Sequence, residues 1–97
     1  MKEQIYLTIL FDYYESLLSE KDRLCFKDYY FNNLSLSEIA ENNNISRNAV
    51  HKRLKKIEEE LNNYENKLKL YKKEQKIMSI LKDEKDQEKV KNILNNN

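Results

Sequence analysis

Six polar side chains lie close together between positions 47 and 56: Arg47, Asn48, His51, Lys52, Lys55 and Lys56. On a helix turning about 100° per residue, Asn48, His51, Lys52 and Lys55 oppose Val50 and Leu54, with Arg47 and Lys56 on the flanks. These types suit nucleic acid. Arg and Lys contact phosphate or guanine, and Asn pairs with adenine, when they sit near the start of a recognition helix. The charge is local to this stretch. From Leu34 to Lys56, Arg47, Lys52, Arg53, Lys55 and Lys56 stand against Glu38 and Glu41, a net +3, whereas Met1 to Asn33 nets −2. A basic helix face is equally the mark of a solvated exterior or a protein-docking platform. Glu58, Glu59 and Glu60 follow directly and would repel a phosphate backbone running along the helix. The pattern alone leaves both readings open.

Positioning these residues takes a helix, a turn and a second helix. Ser35 and Glu38 form an S-x-x-E capping box, and Leu34 and Ile39 sit where a hydrophobic staple closes the entry. This helix is expected to end near Glu41, with Asn42-Asn43-Asn44 as the turn. Ala40 is small where two helices cross, Ile45 fills the corner, and Ser46 caps the next helix. That helix is expected to be long, from Arg47 to about Lys73. Val50, Leu54, Ile57, Leu61, Tyr64, Leu68 and Tyr71 step alternately by four and three, an unbroken heptad seam. Tyr64 and Tyr71 fit a tight two-stranded seam poorly and favour packing on Phe11, Tyr13 or Tyr14.

Ahead of the motif, a first helix is expected from about Gln4 to Leu18. Ten of the fourteen residues from Ile5 to Leu18 are apolar or aromatic. One packed face needs only a stripe, so this helix is expected to be covered on two sides, the second by a further copy of the chain. Ser19 caps a second helix over Glu20 to Phe31, with Leu24, Phe26, Tyr29 and Tyr30 as its core, ended by Asn32-Asn33. The division expected is a helix-turn-helix domain over 1–73, including the long fourth helix, and a short helical tail over 74–97. The tail holds an apolar patch at Ile77, Met78, Ile80 and Leu81, the charged run Lys82 to Lys89, and a last weak helix at Val90, Ile93 and Leu94.

Composition sets the frame. The 97 residues contain neither glycine nor proline, so turns that need positive φ fall to Asn or Asp, and helices run without a breaker. Strand signals are weak, and the fold class expected is all-α. Charged residues make up 36% of the chain yet net only +1, which lacks the global basic excess of a nonspecific DNA coater. A lone cysteine excludes an internal disulfide and fits a reducing cytoplasm. The apolar start is broken by Asp12 and Glu15, and no membrane insertion is expected.

Catalysis finds little support. His51 and Cys25 are the only residues of their kind and fall on different elements. A phosphate-cradling glycine loop is impossible, metal-ligand spacing is absent, and no cofactor is expected. Cys25 reads as a small buried hydrophobe, His51 as an exposed helix residue, and Glu65 with Lys69 as an ordinary i,i+4 pair.

The stretch "FDYYESLLSEK", followed by "DYYFNNLSLSEIAENNNISRNAVHKRLKKIEEELNNYENKLKLY", resembles the YlxM family of small bacterial helix-turn-helix proteins. The resemblance covers Ile5 to about Tyr71. It rests on Phe11, Tyr14, Leu17 and Leu18 before Lys21; on Tyr29-Tyr30; on Ser35-Leu36 with Glu38 to Glu41; on Ile45-Ser46-Arg47 with Ala49-Val50; and on Tyr64-Glu65 with Lys67-Leu68. It implies an all-helical fold, a helix-turn-helix like that of sigma factor region 4, and a dimer. Its genes commonly neighbour those for the signal recognition particle and its receptor. The resemblance therefore implies an accessory or regulatory role in co-translational targeting, with the particle's protein, its RNA or the receptor as partner. Here Asn43 stands about where the family usually has the turn glycine. Asn48, His51 and Lys52 replace the usual Gln, Tyr and acidic residue, which makes this face more basic than is typical. Two further readings stay open: a small DNA-binding transcription regulator, and a structural dimer that presents acidic and aromatic surfaces to proteins.

Overall fold

The computed structural model describes residues 2–81 and 91–94. Helix α1 spans Lys2–Tyr14, α2 Glu20–Tyr30, α3 Leu36–Asn43, α4 Arg47–Leu68 and α5 Leu70–Ile80. A 3-10 turn, Glu15–Leu17, joins α1 to the loop before α2. No strand occurs among the described residues, so the chain is all-α.

Serine caps set where three of these helices start. The Ser19 hydroxyl accepts from the Asp22 amide at 3.2 Å, and Ser46 accepts from Ala49 at 3.1 Å. Before α3 the capping box closes in both directions: Ser35 Oγ accepts from the Glu38 amide at 3.1 Å, and Glu38 Oε1 accepts from the Ser35 amide at 3.0 Å. Each cap satisfies amides that the first helical turn leaves unpaired. The hydrogen bonds of the box, the backbone one foremost, hold the Glu38 carboxyl below its usual pKa.

Asparagine replaces glycine where the chain reverses. Asn33 and Asn44 both lie in the left-handed region at φ 56°. Asn44 closes α3, its amide bonding to Ala40 and Glu41, while the Ile45 amide also returns to Ala40. The sequence placed the glycine-like position at Asn43. Asn43 instead stays helical, and its side-chain amide donates to the Ile39 carbonyl at 2.7 Å. The αL residue thus sits one position later, at the residue that follows the last helical one.

The core is a single cluster built from four helices. From α1 come Leu7, Leu10, Phe11 and Tyr14; from α2, Cys25 and Phe26; from α3, Ile39 and Ala40; from α4, Val50, Leu54, Ile57 and Leu61. Phe11 stacks on Phe26 with ring centroids 4.3 Å apart and planes 5° from parallel. Burying such side chains contributes about 1.5–3 kcal/mol each. Leu24, expected in this core, is 55% exposed. Asp22, Cys25, Phe26 and Tyr29 share the inward face of α2 by i, i+3, i+4 and i+7 spacing, which turns position 24 outward. Cys25 takes the core position, and burial pushes its thiol pKa up.

The long seam helix is not continuous. Val50 to Leu61 bury as the heptad predicts, but Lys69 adopts φ 55°, ψ 33° and ends α4; α5 leaves in a new direction. It returns to α1, where Tyr71 meets Tyr6 and Tyr13 with centroids 5.9 and 6.1 Å apart. Part of the second apolar side of α1 is therefore covered by the chain's own α5. Helix α5 passes through the 73/74 boundary at which the sequence was divided. Lys91 to Leu94 is helical, whereas the charged run Lys82 to Lys89 and Val90 lie outside the described residues.

The break places Glu65 in a role its sequence position does not announce. Rather than pairing with Lys69, it is buried at 7% exposure beneath the start of α5. Its Oε1 accepts from the Tyr14 hydroxyl at 2.6 Å and the Tyr71 amide at 3.2 Å; Oε2 accepts from the Lys72 amide at 3.1 Å. The Tyr14 hydroxyl in turn accepts from the Leu70 amide at 3.1 Å. Burial, and then the bond to Glu65, push the Tyr14 pKa up to about 12.

Candidate nucleic-acid interface

Helices α3 and α4 with the Asn44 turn form the helix-turn-helix, braced by α2 across the inner side of α4. All six residues singled out by sequence, Arg47, Asn48, His51, Lys52, Lys55 and Lys56, are exposed on α4. Val50 and Leu54 are buried beneath them, so the basic side faces away from the core. Arg47 begins the helix, and the first turn carries no acidic residue. A cation there opposes the helix dipole, which favours anions at this end. Fold stability does not ask for Arg47.

The six divide into two groups. Among the described residues, Arg47, Asn48, His51, Lys52 and Lys55 make no ion pair, whereas Lys56 is engaged on both sides. Its Nζ lies 3.5 Å from Asp22 Oδ2 and 3.6 Å from Glu60 Oε1. Arg53, which sequence reasoning left out of the site, also reaches Asp22, with Nε 3.9 Å from Oδ1. Asp22 is buried at 6% exposure, so α2 carries a carboxylate that two α4 cations neutralise. The sequence signal for this clamp was weak: an acid in the first turn of α2 is equally explained by the helix dipole.

The acidic run after the basic stretch is partly engaged by neighbouring side chains as well. Glu58 Oε1 accepts from the Tyr30 hydroxyl at 2.7 Å, and Glu60 meets Lys56. Burial, then the bond to Glu58, raise the Tyr30 pKa. Glu59 stays exposed. His51 and Lys55 border a cleft of about 410 Å³ that runs beneath the N-terminal half of α1, with Tyr29, Tyr30 and Leu36 in its wall.

No group of His, Cys, Asp and Glu among the described residues is arranged to hold a metal ion. Among the same residues no helix is long and apolar enough to cross a membrane.

An all-helical domain whose exposed basic helix follows a short, capped partner helix through an αL turn is a helix-turn-helix protein. The chain belongs to the UPF0122 family, described as a helix-turn-helix protein, "YlxM / p13 like", whose profile matches residues 1–97. A UPF0122 protein of Malacoplasma penetrans is 54% identical over 63 residues, 65% of this chain and 59% of that protein. One from Clostridium acetobutylicum is 48% identical over 86 residues, 89% of this chain and 74% of that protein. One from Caldanaerobacter subterraneus is 46% identical over 74 residues, 76% of this chain and 63% of that protein. The match thus spans less than two thirds of the first and third of these relatives.

Proposed function

We propose that this chain is a helix-turn-helix accessory protein of the signal recognition particle pathway, acting as a homodimer. It contacts nucleic acid through Arg47, Asn48, His51, Lys52 and Lys55, with Lys56 at the edge. Family membership supports the pathway. The observation that supports the contact is the unpaired basic group at the start of α4, beside two cations that are already paired. A fold that needed all these charges for its own cohesion would pair them alike. The partners that fit are the particle's RNA, its protein component or the receptor. The second reading, a small DNA-binding transcription regulator, draws on Asn48 and Arg47 near the helix N-terminus, where base edges are read.

Capture from native lysate by the tagged chain, with and without nuclease, tests this. Enrichment of the particle's protein that survives nuclease supports the accessory role. Recovery of structured RNA, lost on Lys52→Glu with Lys55→Glu, supports the nucleic-acid face. Recovery of duplex DNA alone favours the regulator. Recovery of none of these overturns both readings.

A further inference from the structure

The junction between α4 and α5 is a single residue. Lys69 occupies the left-handed region, which a residue with a Cβ adopts at a cost. Nothing in the local sequence demands a break: Asn66 to Lys73 contains neither glycine nor proline and is rich in Lys and Leu, good helix formers. The heptad seam also continues through it, with Leu68 and Tyr71 on either side in register.

The break is held by a compact substitution. In an unbroken helix the amides of Leu70, Tyr71 and Lys72 would bond to the carbonyls of Asn66, Lys67 and Leu68. Here the Tyr14 hydroxyl takes the first, and the Glu65 carboxylate takes the other two. The Lys69 amide bonds to Glu65 O and the Lys73 amide to Lys69 O, each at 2.8 Å, the same spacing that a continuous helix uses. Straightening therefore exchanges three side-chain bonds for three helical ones and relieves one αL residue. The two forms thus balance in hydrogen bonds to these amides, and the contact of Tyr71 with Tyr6 and Tyr13 that straightening gives up is restored on a second copy. Once straight, α5 leaves α1 and uncovers Tyr6, Tyr13 and Ile9, the surface that Tyr71 and Met78 line from the other side.

We infer that Lys69 is a swap hinge: α4 and α5 merge into one helix, and α5 docks on α1 of a second copy of this chain. The occupant follows from the surface itself. The α5 face fits α1 of its own chain, so it fits an identical α1 equally, and a short strained hinge favours exchange. This inference rests on the homodimer part of the proposed function and gives that dimer its contacts.

The test uses the full chain carrying Cys25→Ala, Tyr6→Cys and Tyr71→Cys, bridged by a short bismaleimide after the dimer fraction is isolated by size. Tyr6 and Tyr71 are neighbours across α1 and α5, so the bridge reports which chain supplies α5. A swapped dimer gives bridges between chains in the dimer and within the chain in the monomer. Bridges within the chain in both fractions overturn the hinge and leave a surface dimer standing. No dimer at any concentration overturns hinge and dimer together. A second variant leaves the tyrosines intact. Lys69→Gly removes the αL cost of the bent form and weakens the straight helix, and should raise the dimer dissociation constant at least about tenfold. An unchanged constant overturns the inference.

Discussion

Tyr14 and Glu65, 51 positions apart, share a 2.6 Å hydrogen bond that ties the end of α1 to the end of α4. Both are buried, and between them they receive the first three amides of α5. One side-chain pair thus does the work of a helix cap for an element whose own preceding residue, Lys69, supplies no side-chain cap. Removing Tyr14's hydroxyl by Tyr14→Phe strands a buried carboxylate's partner site and the Leu70 amide. The expected loss is about 1–3 kcal/mol of unfolding free energy, read from denaturant titration. Faster hydrogen exchange at Leu70, Tyr71 and Lys72 than at Val50 to Leu61 should accompany it. Unaltered exchange at those three amides would show that the pair does not cap α5.

The same hydroxyl sets an alkaline limit. Tyr14's pKa is about 12 in the folded chain and about 10 when unfolded. The folded state therefore holds that proton more tightly. Its stabilising share is complete below pH about 10 and falls as pH rises toward 12. Stability measured across this window should decline, and decline less in Tyr14→Phe. Ultraviolet titration should show tyrosines that ionise only on unfolding. Seven tyrosines that titrate together at the ordinary value would contradict this.

Asn44, and not Asn43, carries the left-handed turn. Asn44→Gly should leave stability level or raise it slightly, whereas Asn44→Ala should cost about 1 kcal/mol. Asn43→Gly should destabilise, because position 43 is helical and its side chain bonds to the Ile39 carbonyl. Thermal unfolding of the three variants ranks them.

Leu10 and Leu61 are fully buried. Leu10→Asp or Leu61→Asp places an unpaired carboxylate in the core and should unfold the chain, with helical circular dichroism lost. Retention of native helicity and mass would contradict the core described above.

Much of this arrangement was legible in the sequence because it is local. The three serine caps, the Ser35–Glu38 box and the Val50 to Leu61 seam follow from spacings of three and four residues, where helix geometry leaves little choice. Ile39 and Ala40 were placed by the same logic. What stayed hidden depends on distant partners. Leu24 looks apolar enough for the core until the registry of Asp22, Cys25 and Phe26 turns it outward. The break at Lys69 has no glycine, proline or cap residue to announce it, and it is held by Tyr14 and Glu65, which stand 51 positions apart and meet only in the folded domain. At the candidate interface the exposed residues of α4 were readable from periodicity. That Lys56 belongs to Asp22 and Glu60 was not, since only the packing of α2 on α4 brings Asp22 there.

The measurement that bears most directly on the proposed function is the salt dependence of binding to structured RNA and to duplex DNA, for the native chain and for Lys52→Glu with Lys55→Glu. Phosphate contacts release counterions, so native affinity should fall steeply with salt, and the double reversal should flatten that slope by about two while leaving unfolding unchanged. Affinity that ignores salt, or that survives the reversal, would contradict a nucleic-acid face on α4.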